Sequence, residues 1–128
     1  MKSAPFEYVR AKAIGDVFEA STQYAGEAQI LAGGQSLMPI LNMRLAAPKA
    51  LIDINGIGEL SGITNSNGII RIGALTRIGE LISSSEIENY LPLLKLAAPH
   101  IAHPAVRNRG TVGGSVCHAD PAAEVPAC

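Results

Sequence analysis

The sequence predicts a mixed helix-and-strand fold that opens on a βαβ-like unit. Three observations carry that expectation. A strand-like run at residues 6–11 gives way to helical periodicity over 14–24, and an apolar run at 29–31 then enters the glycine-rich stretch AGGQSL at 32–37. Asn67-Gly68, lying between 61–66 and 69–73, is the strongest hairpin signal in the chain. A second glycine-rich stretch, GTVGGS, occupies 110–115.

Each element has its own reason. Phe6, Tyr8 and Arg10 alternate onto one face of the first strand. Ile14, Val17, Phe18, Ser21 and Ala25 recur near helical spacing with Asp16 and Glu19 between them, and Gly26 supplies a stop. Residues 38–45 read as helix despite Pro39; Pro48 ends it, and 50–54 (ALIDI) is a short buried strand with Asp53 at its end. Gly56-Ile57-Gly58 imitates the start of a dinucleotide fingerprint, but Ser61 stands where the third glycine belongs, so it reads as a turn. Thr76 is placed to cap a helix at 77–83 with Glu80 in its early turns. Leu91, Leu94 and Ala98 form the stripe of a further helix ending near Pro99. Residues 100–109 show little regularity, 111–116 read as a strand or strand entry, and 119–128 carry no secondary-structure signal.

Composition narrows the function. The 128 residues allow one modest domain with a real core; 48% are hydrophobic and 16% charged. Ten basic residues against eleven acidic ones give a net charge of −1, without the clustered positive field that nucleic acid or a membrane surface requires. No apolar run approaches a membrane span, and the start shows no signal-peptide core, so a cytoplasmic setting is expected. Cys117 and Cys128 suggest neither a disulfide framework nor a metal site. His100, His103, Cys117 and His118 lack the spacing of a zinc ligand set, and Cys117 as a nucleophile has little support. Ser36 and Ser115 have no neighbouring base, and there is no Walker A loop. No residue stands out as a catalytic acid, base or nucleophile. Arg107 and Arg109, before the second glycine stretch, read either as balancing a phosphate or as solvated surface.

A double glycine lets the backbone turn where a Cβ would obstruct it, and its N–H groups can converge on an anion. In each stretch a hydroxyl residue stands beside the pair. A single such stretch reads first as a tight turn; two converging on one ligand would suit a diphosphate.

The combined pattern resembles the amino-terminal part of the FAD-binding (medium) subunit of molybdenum hydroxylases of the carbon monoxide and xanthine dehydrogenase type. The matching residues are ILAGGQSLMPILNMRLAAPKALIDINGIGEL from Ile30, RIGALTRIGEL from Arg71 and HPAVRNRGTVGGSVCHADPAAEVPA from His103, which cover almost the whole chain in order. The resemblance implies an α+β fold with two small α/β subdomains of the PCMH-type FAD-binding fold, the first at 1–55 and the start of the second, incomplete, at 56–128. It implies an FAD site formed by Ile30, Ala32, Gly33, Gly34, Gln35, Ser36 and Leu37 together with Thr111, Val112, Gly113, Gly114 and Ser115, holding mainly the diphosphate through main-chain N–H groups. Glu124 matches a position where relatives often carry an aspartate near the AMP half, and Ile101 one where some carry an aromatic residue.

The implied partners are a molybdenum-cofactor large subunit and an iron–sulfur small subunit. Electrons pass from iron–sulfur centres through FAD to NAD, a quinone or oxygen. Proteins of this kind continue well beyond Cys128, so the chain is expected to be a fragment or a truncated reading frame. Two alternatives remain at this point: a flavin reductase of the same broad fold acting on a nucleotide sugar, and a cofactor-free truncated assembly module.

Overall fold

The structure, a computed structural model, describes residues 2–128. It is an α+β fold whose contacts gather into two compact units, one ending at Gly58 and the other beginning at Glu59.

In the first unit, strands β1 (Glu7–Arg10), β2 (Ala28–Leu31) and β3 (Ala50–Asp53) form a parallel sheet in the order β1-β3-β2. Ile52 aligns with Val9 on one side and with Ile30 on the other. The last strand in sequence is therefore the central one. Hydrogen-bonded on both edges, it buries Ala50, Leu51 and Ile52 in succession, which is why ALIDI reads as a continuous apolar run. Helix α1 (Ile14–Gln23) connects β1 to β2 and contacts β3. Its start is fixed by Asp16, whose carboxylate accepts the N–H groups of Lys12 (2.7 Å) and Ala13 (3.1 Å).

Helix α2 (Leu37–Asn42) is shorter than the expected 38–45. Pro39 is accommodated because it lies in the first turn, where a missing N–H breaks no intrahelical bond. The helix ends when Arg44 adopts φ 57, and the Leu45 N–H then closes on the Ile40 carbonyl at 3.0 Å. That is a Schellman ending with arginine in the position glycine usually takes.

In the second unit, β4 (Ile63–Ser66) and β5 (Ile69–Ile72) form the expected antiparallel hairpin. Asn67 (φ 52) and Gly68 (φ 81) supply the two left-handed residues of its tight turn. Six short helices follow: α3 (Ile78–Ser83), α4 (Ser85–Tyr90), α5 (Pro92–Ala97), α6 (Pro104–Arg107), α7 (Val112–His118) and α8 (Glu124–Ala127). Ile78, Leu81, Ile87, Leu94 and Ala98 make the core, against which Ile63, Ile72, Val112 and Val125 pack.

Four expectations need correction here. Residues 111–116 are not a strand: Thr111 makes one bridge to Arg77, and the chain then turns helical because the Thr111 hydroxyl accepts the Gly114 N–H at 3.1 Å. Thr76 does not cap α3. It is fully buried, its hydroxyl exchanging bonds with the N–H and carbonyl of Gly62, both at 3.0 Å, and Arg77 takes the cap position with its N–H held by Glu80 at 2.6 Å. The helix expected around Leu91 is split, since Leu91 leaves helical geometry (φ −132, ψ 60) and Pro92 begins the next segment. Residues 100–109 and 119–128 both contain a helical turn, α6 and α8.

Candidate functional site

Gln29–Leu31 runs out of the sheet into residues 32–36, and the bonding of this first glycine loop is one-sided. Four of its five carbonyls, all but that of Gln35, have donors. The Leu31 carbonyl accepts the Ile54 N–H (3.1 Å) and the Asn55 side-chain amide (3.5 Å), and the Ala32 carbonyl accepts the same amide at 2.8 Å. Gly33 O receives Gln35 Nε2 (3.0 Å), Gly34 O the Met38 N–H (3.1 Å) and Ser36 O the Ile40 N–H (3.2 Å). Among the described residues, the N–H groups of Gly33, Gly34, Gln35 and Ser36 donate no hydrogen bond. A loop with most of its acceptors bonded and four consecutive donors unspent is suited to an anion. Gly34, at φ 69, adopts a conformation that side chains resist; a Cβ there would lie 3.1 Å from Leu31 Cδ1 and 3.3 Å from Met38 Cγ.

The second glycine stretch is built the other way. The Val112 N–H goes to the Thr76 carbonyl (3.0 Å), Gly113 to Ala74 (2.9 Å), Gly114 to the Thr111 hydroxyl (3.1 Å) and Ser115 to the Thr111 carbonyl (3.0 Å). With the Gly110 N–H on the Val106 carbonyl (2.7 Å), its main-chain donors are committed except that of Thr111, which makes no hydrogen bond among the described residues. A Cβ on Gly113 would come within 2.7 Å of Ala74 Cβ and 2.8 Å of its carbonyl, so this glycine permits close packing. The half-buried Ser115 hydroxyl makes no hydrogen bond among the described residues and is a side-chain donor this stretch can still offer. A run of unspent main-chain N–H groups is thus present in the first stretch and not in the second.

The remaining candidates are distributed as follows. Ile30 is half exposed on β2, Leu37 opens α2, and exposed Glu124 opens α8, which packs on α7. Ile101 is partly buried against the core of the second unit. Arg107 is partly buried, and one of its guanidinium nitrogens donates to the carbonyls of Pro99 (3.0 Å), Ile101 (3.0 Å) and Ala102 (2.9 Å). The Arg109 carbonyl accepts from Arg77 at 2.6 Å. Cys117 and His118 are exposed at the end of α7, successive on a helix rather than on opposite faces of a strand. No trio of His, Cys, Asp or Glu is placed to hold a metal ion among the described residues.

What the sequence did not point to is the support behind the first loop. Asp53 Oδ1 accepts both the Asn55 N–H (2.9 Å) and the Asn55 side-chain amide (2.6 Å), while Oδ2 accepts the Tyr8 phenol. Burial works against the charged carboxylate, but the bonds from Tyr8 and Asn55 and the nearby Arg10 prevail and hold the Asp53 pKa below its ordinary value. The only hint in the sequence was D-x-N directly after a buried strand.

Against known proteins, residues 4–128 match the family described as the FAD binding domain in molybdopterin dehydrogenase. The chain belongs to this family. The alpha subunit of the 6-hydroxypseudooxynicotine dehydrogenase complex from Paenarthrobacter nicotinovorans is 48% identical over 98% of this chain and 43% of that relative. The carbon monoxide dehydrogenase medium chain of Hydrogenophaga pseudoflava is 46% identical over 95% of this chain and 42% of its own length. A solved structure of carbon monoxide dehydrogenase from Hydrogenophaga pseudoflava superposes with a TM-score of 0.96 at 46% identity, covering 99% of this chain and 44% of that one. The chain therefore spans less than half the length of the curated relatives it matches. FAD is the cofactor of this molybdopterin dehydrogenase family. The donor-rich first loop fits its diphosphate: four successive N–H groups spend no hydrogen bond among the described residues.

Proposed function

We propose that this chain is an FAD-binding electron-transfer subunit of a molybdenum hydroxylase, assembled with a molybdenum-cofactor large subunit and an iron–sulfur small subunit. The observation that carries the proposal is the first loop, with most of its carbonyls bonded and unspent N–H groups, in a chain of the FAD-binding family. Bound FAD supplies the redox chemistry, linking iron–sulfur centres to an acceptor that is NAD, a quinone or oxygen. This chain's own residues bind and orient it.

Gly33, Gly34, Gln35 and Ser36 donate main-chain N–H groups to the diphosphate, with Ala32, Ile30 and Leu37 shaping the loop edges. Thr111, Val112, Gly113, Gly114 and Ser115 form the second contact, made through the Ser115 hydroxyl, and Glu124 approaches the AMP half. Residues 1–55 constitute the first FAD-binding subdomain and 56–128 the start of the second. The setting is cytoplasmic; among the described residues no helix is long and apolar enough to cross a membrane.

The test is a flavin titration of the purified protein, followed by addition of the assembled partner subunits and their substrate. Saturable FAD binding, bleaching of the flavin absorbance under anaerobic turnover, and its recovery with one of the three acceptors are expected. Failure to bind FAD, or bound flavin that stays oxidised while the partners turn over, overturns the proposal.

A further inference from the structure

Asn55 lies outside the glycine stretch yet holds its entry. Its side-chain amide reaches two successive carbonyls, Leu31 O at 3.5 Å and Ala32 O at 2.8 Å, and is itself held by Asp53 Oδ1 at 2.6 Å. Asp53 sits at the end of the central strand β3, and its other oxygen is engaged by Tyr8 of β1. The chain Tyr8–Asp53–Asn55 thus crosses from one edge of the sheet, through its centre, to the loop after β2 at the other edge. Two consequences follow. A peptide plane whose carbonyl is held inward turns the N–H of the next residue outward, so tying Ala32 O orients the Gly33 N–H. A carbonyl left free at that point would present negative charge to a phosphate.

From this geometry we infer that Asn55, braced by Asp53 and Tyr8, is the positioning residue that sets the first glycine loop for the FAD diphosphate. This rests on the reading that the loop binds FAD. The amide has to be a neutral donor with a second hydrogen for Asp53, which asparagine provides and aspartate does not. Asp53 remains an ionised acceptor and fixes the amide rotamer through one oxygen while Tyr8 occupies the other.

The experiment compares Asn55→Ala, Asn55→Asp, Tyr24→Phe and Gly34→Val in the FAD-dependent protein after removal of the flavin. FAD affinity is measured by titration, and the amide resonances of Gly33 and Gly34 are followed in the flavin-free state. Tyr24→Phe is the control, because it breaks a tyrosine–carboxylate bond of the same kind, to Glu7 at 2.6 Å, that does not reach the loop. Asn55→Ala and Asn55→Asp are expected to weaken FAD binding by about tenfold, the scale of one or two lost hydrogen bonds. They should also shift the Gly33 and Gly34 resonances while leaving those of β1 in place; Tyr24→Phe should do neither.

A merely stabilising role for Asn55 predicts a lower melting temperature with unchanged affinity and unchanged glycine resonances in the folded protein. That result overturns the inference. If Gly34→Val weakens binding and the Asn55 variants do not, the loop binds FAD and Asn55 does not position it. If none of the loop variants changes affinity, the loop reading itself fails and the inference fails with it. Should Gly34→Val fold poorly, Gly34→Ala serves the same comparison, since the positive φ resists any side chain.

Discussion

Gly113 and Gly34 look alike in the sequence and answer to different pressures. Gly34 has a positive φ in a loop of unspent donors, whereas Gly113 lies in the first turn of α7 with the Ala74 backbone and methyl group directly against it. A methyl at 113 has nowhere to go without moving backbone. Gly113→Ala is therefore expected to destabilise the protein by about 1–3 kcal/mol, the cost of overpacking a filled site. A thermal melt indistinguishable from that of the parent would show that α7 can shift to make room. The same contrast explains why glycine pairs flanked by hydroxyl residues could be recognised as features but not sorted by role. Main-chain bonding, not residue type, distinguishes them.

Among the elements, α7 depends on a single capping side chain. Thr111 is buried, bridges Arg77 through its backbone and accepts the Gly114 N–H through its hydroxyl. Thr111→Val preserves the side chain's shape and removes the acceptor, so a loss of about 1 kcal/mol is expected, with the Gly114 amide losing protection from hydrogen exchange. Retained stability and protection would mean that packing alone sets the start of the helix. The strand expectation for 111–116 failed for this reason: one threonine both joins a bridge and starts a helix, and only its partner on the other segment decides which follows. The hairpin needed no such partner. Asn67-Gly68 is a local signal, because positive φ at both turn residues is something those two residue types supply by themselves.

On the scale of the molecule, stability should have both an acid and an alkaline edge, with identifiable groups in the first unit. Asp16 is held below its ordinary pKa chiefly by the Lys12 and Ala13 N–H groups, and Asp53 below its own by Tyr8 and Asn55 against the opposing effect of burial. A carboxylate with a depressed folded pKa stabilises above its unfolded value of 3.8, and that contribution disappears as pH falls through the folded value. Tyr8 and Tyr24 run oppositely. Each donates to a carboxylate, Asp53 or Glu7, which raises its pKa. Their contribution is present below 10.0 and is lost as pH rises through the raised values. Urea melts across pH should show declining stability at both ends, with the alkaline decline reduced in a Tyr8→Phe, Tyr24→Phe double variant. An unchanged alkaline decline would assign it to other groups.

By itself the sequence determined what could be encoded locally. The starts and stops of β1, α1, β2, β3 and the hairpin follow from periodicity and turn residues, and the paired glycine stretches carry the family pattern from end to end. Tertiary structure decided the rest. It put β3 at the centre of the sheet, gave Arg107 three carbonyls to bind, and buried Thr76 against Gly62 instead of at a helix cap. It also joined Tyr8 to Asp53, 45 positions apart, and Asn55 to Ala32, 23 positions apart. A hydrogen bond between distant residues leaves no periodic trace in a single sequence, because either partner taken alone is an ordinary polar side chain at a strand or loop. The entry of the first glycine loop depends on that kind of bond: its composition permits the turn and local donors take the Gly33, Gly34 and Ser36 carbonyls, while Asn55 from beyond β3 takes that of Ala32.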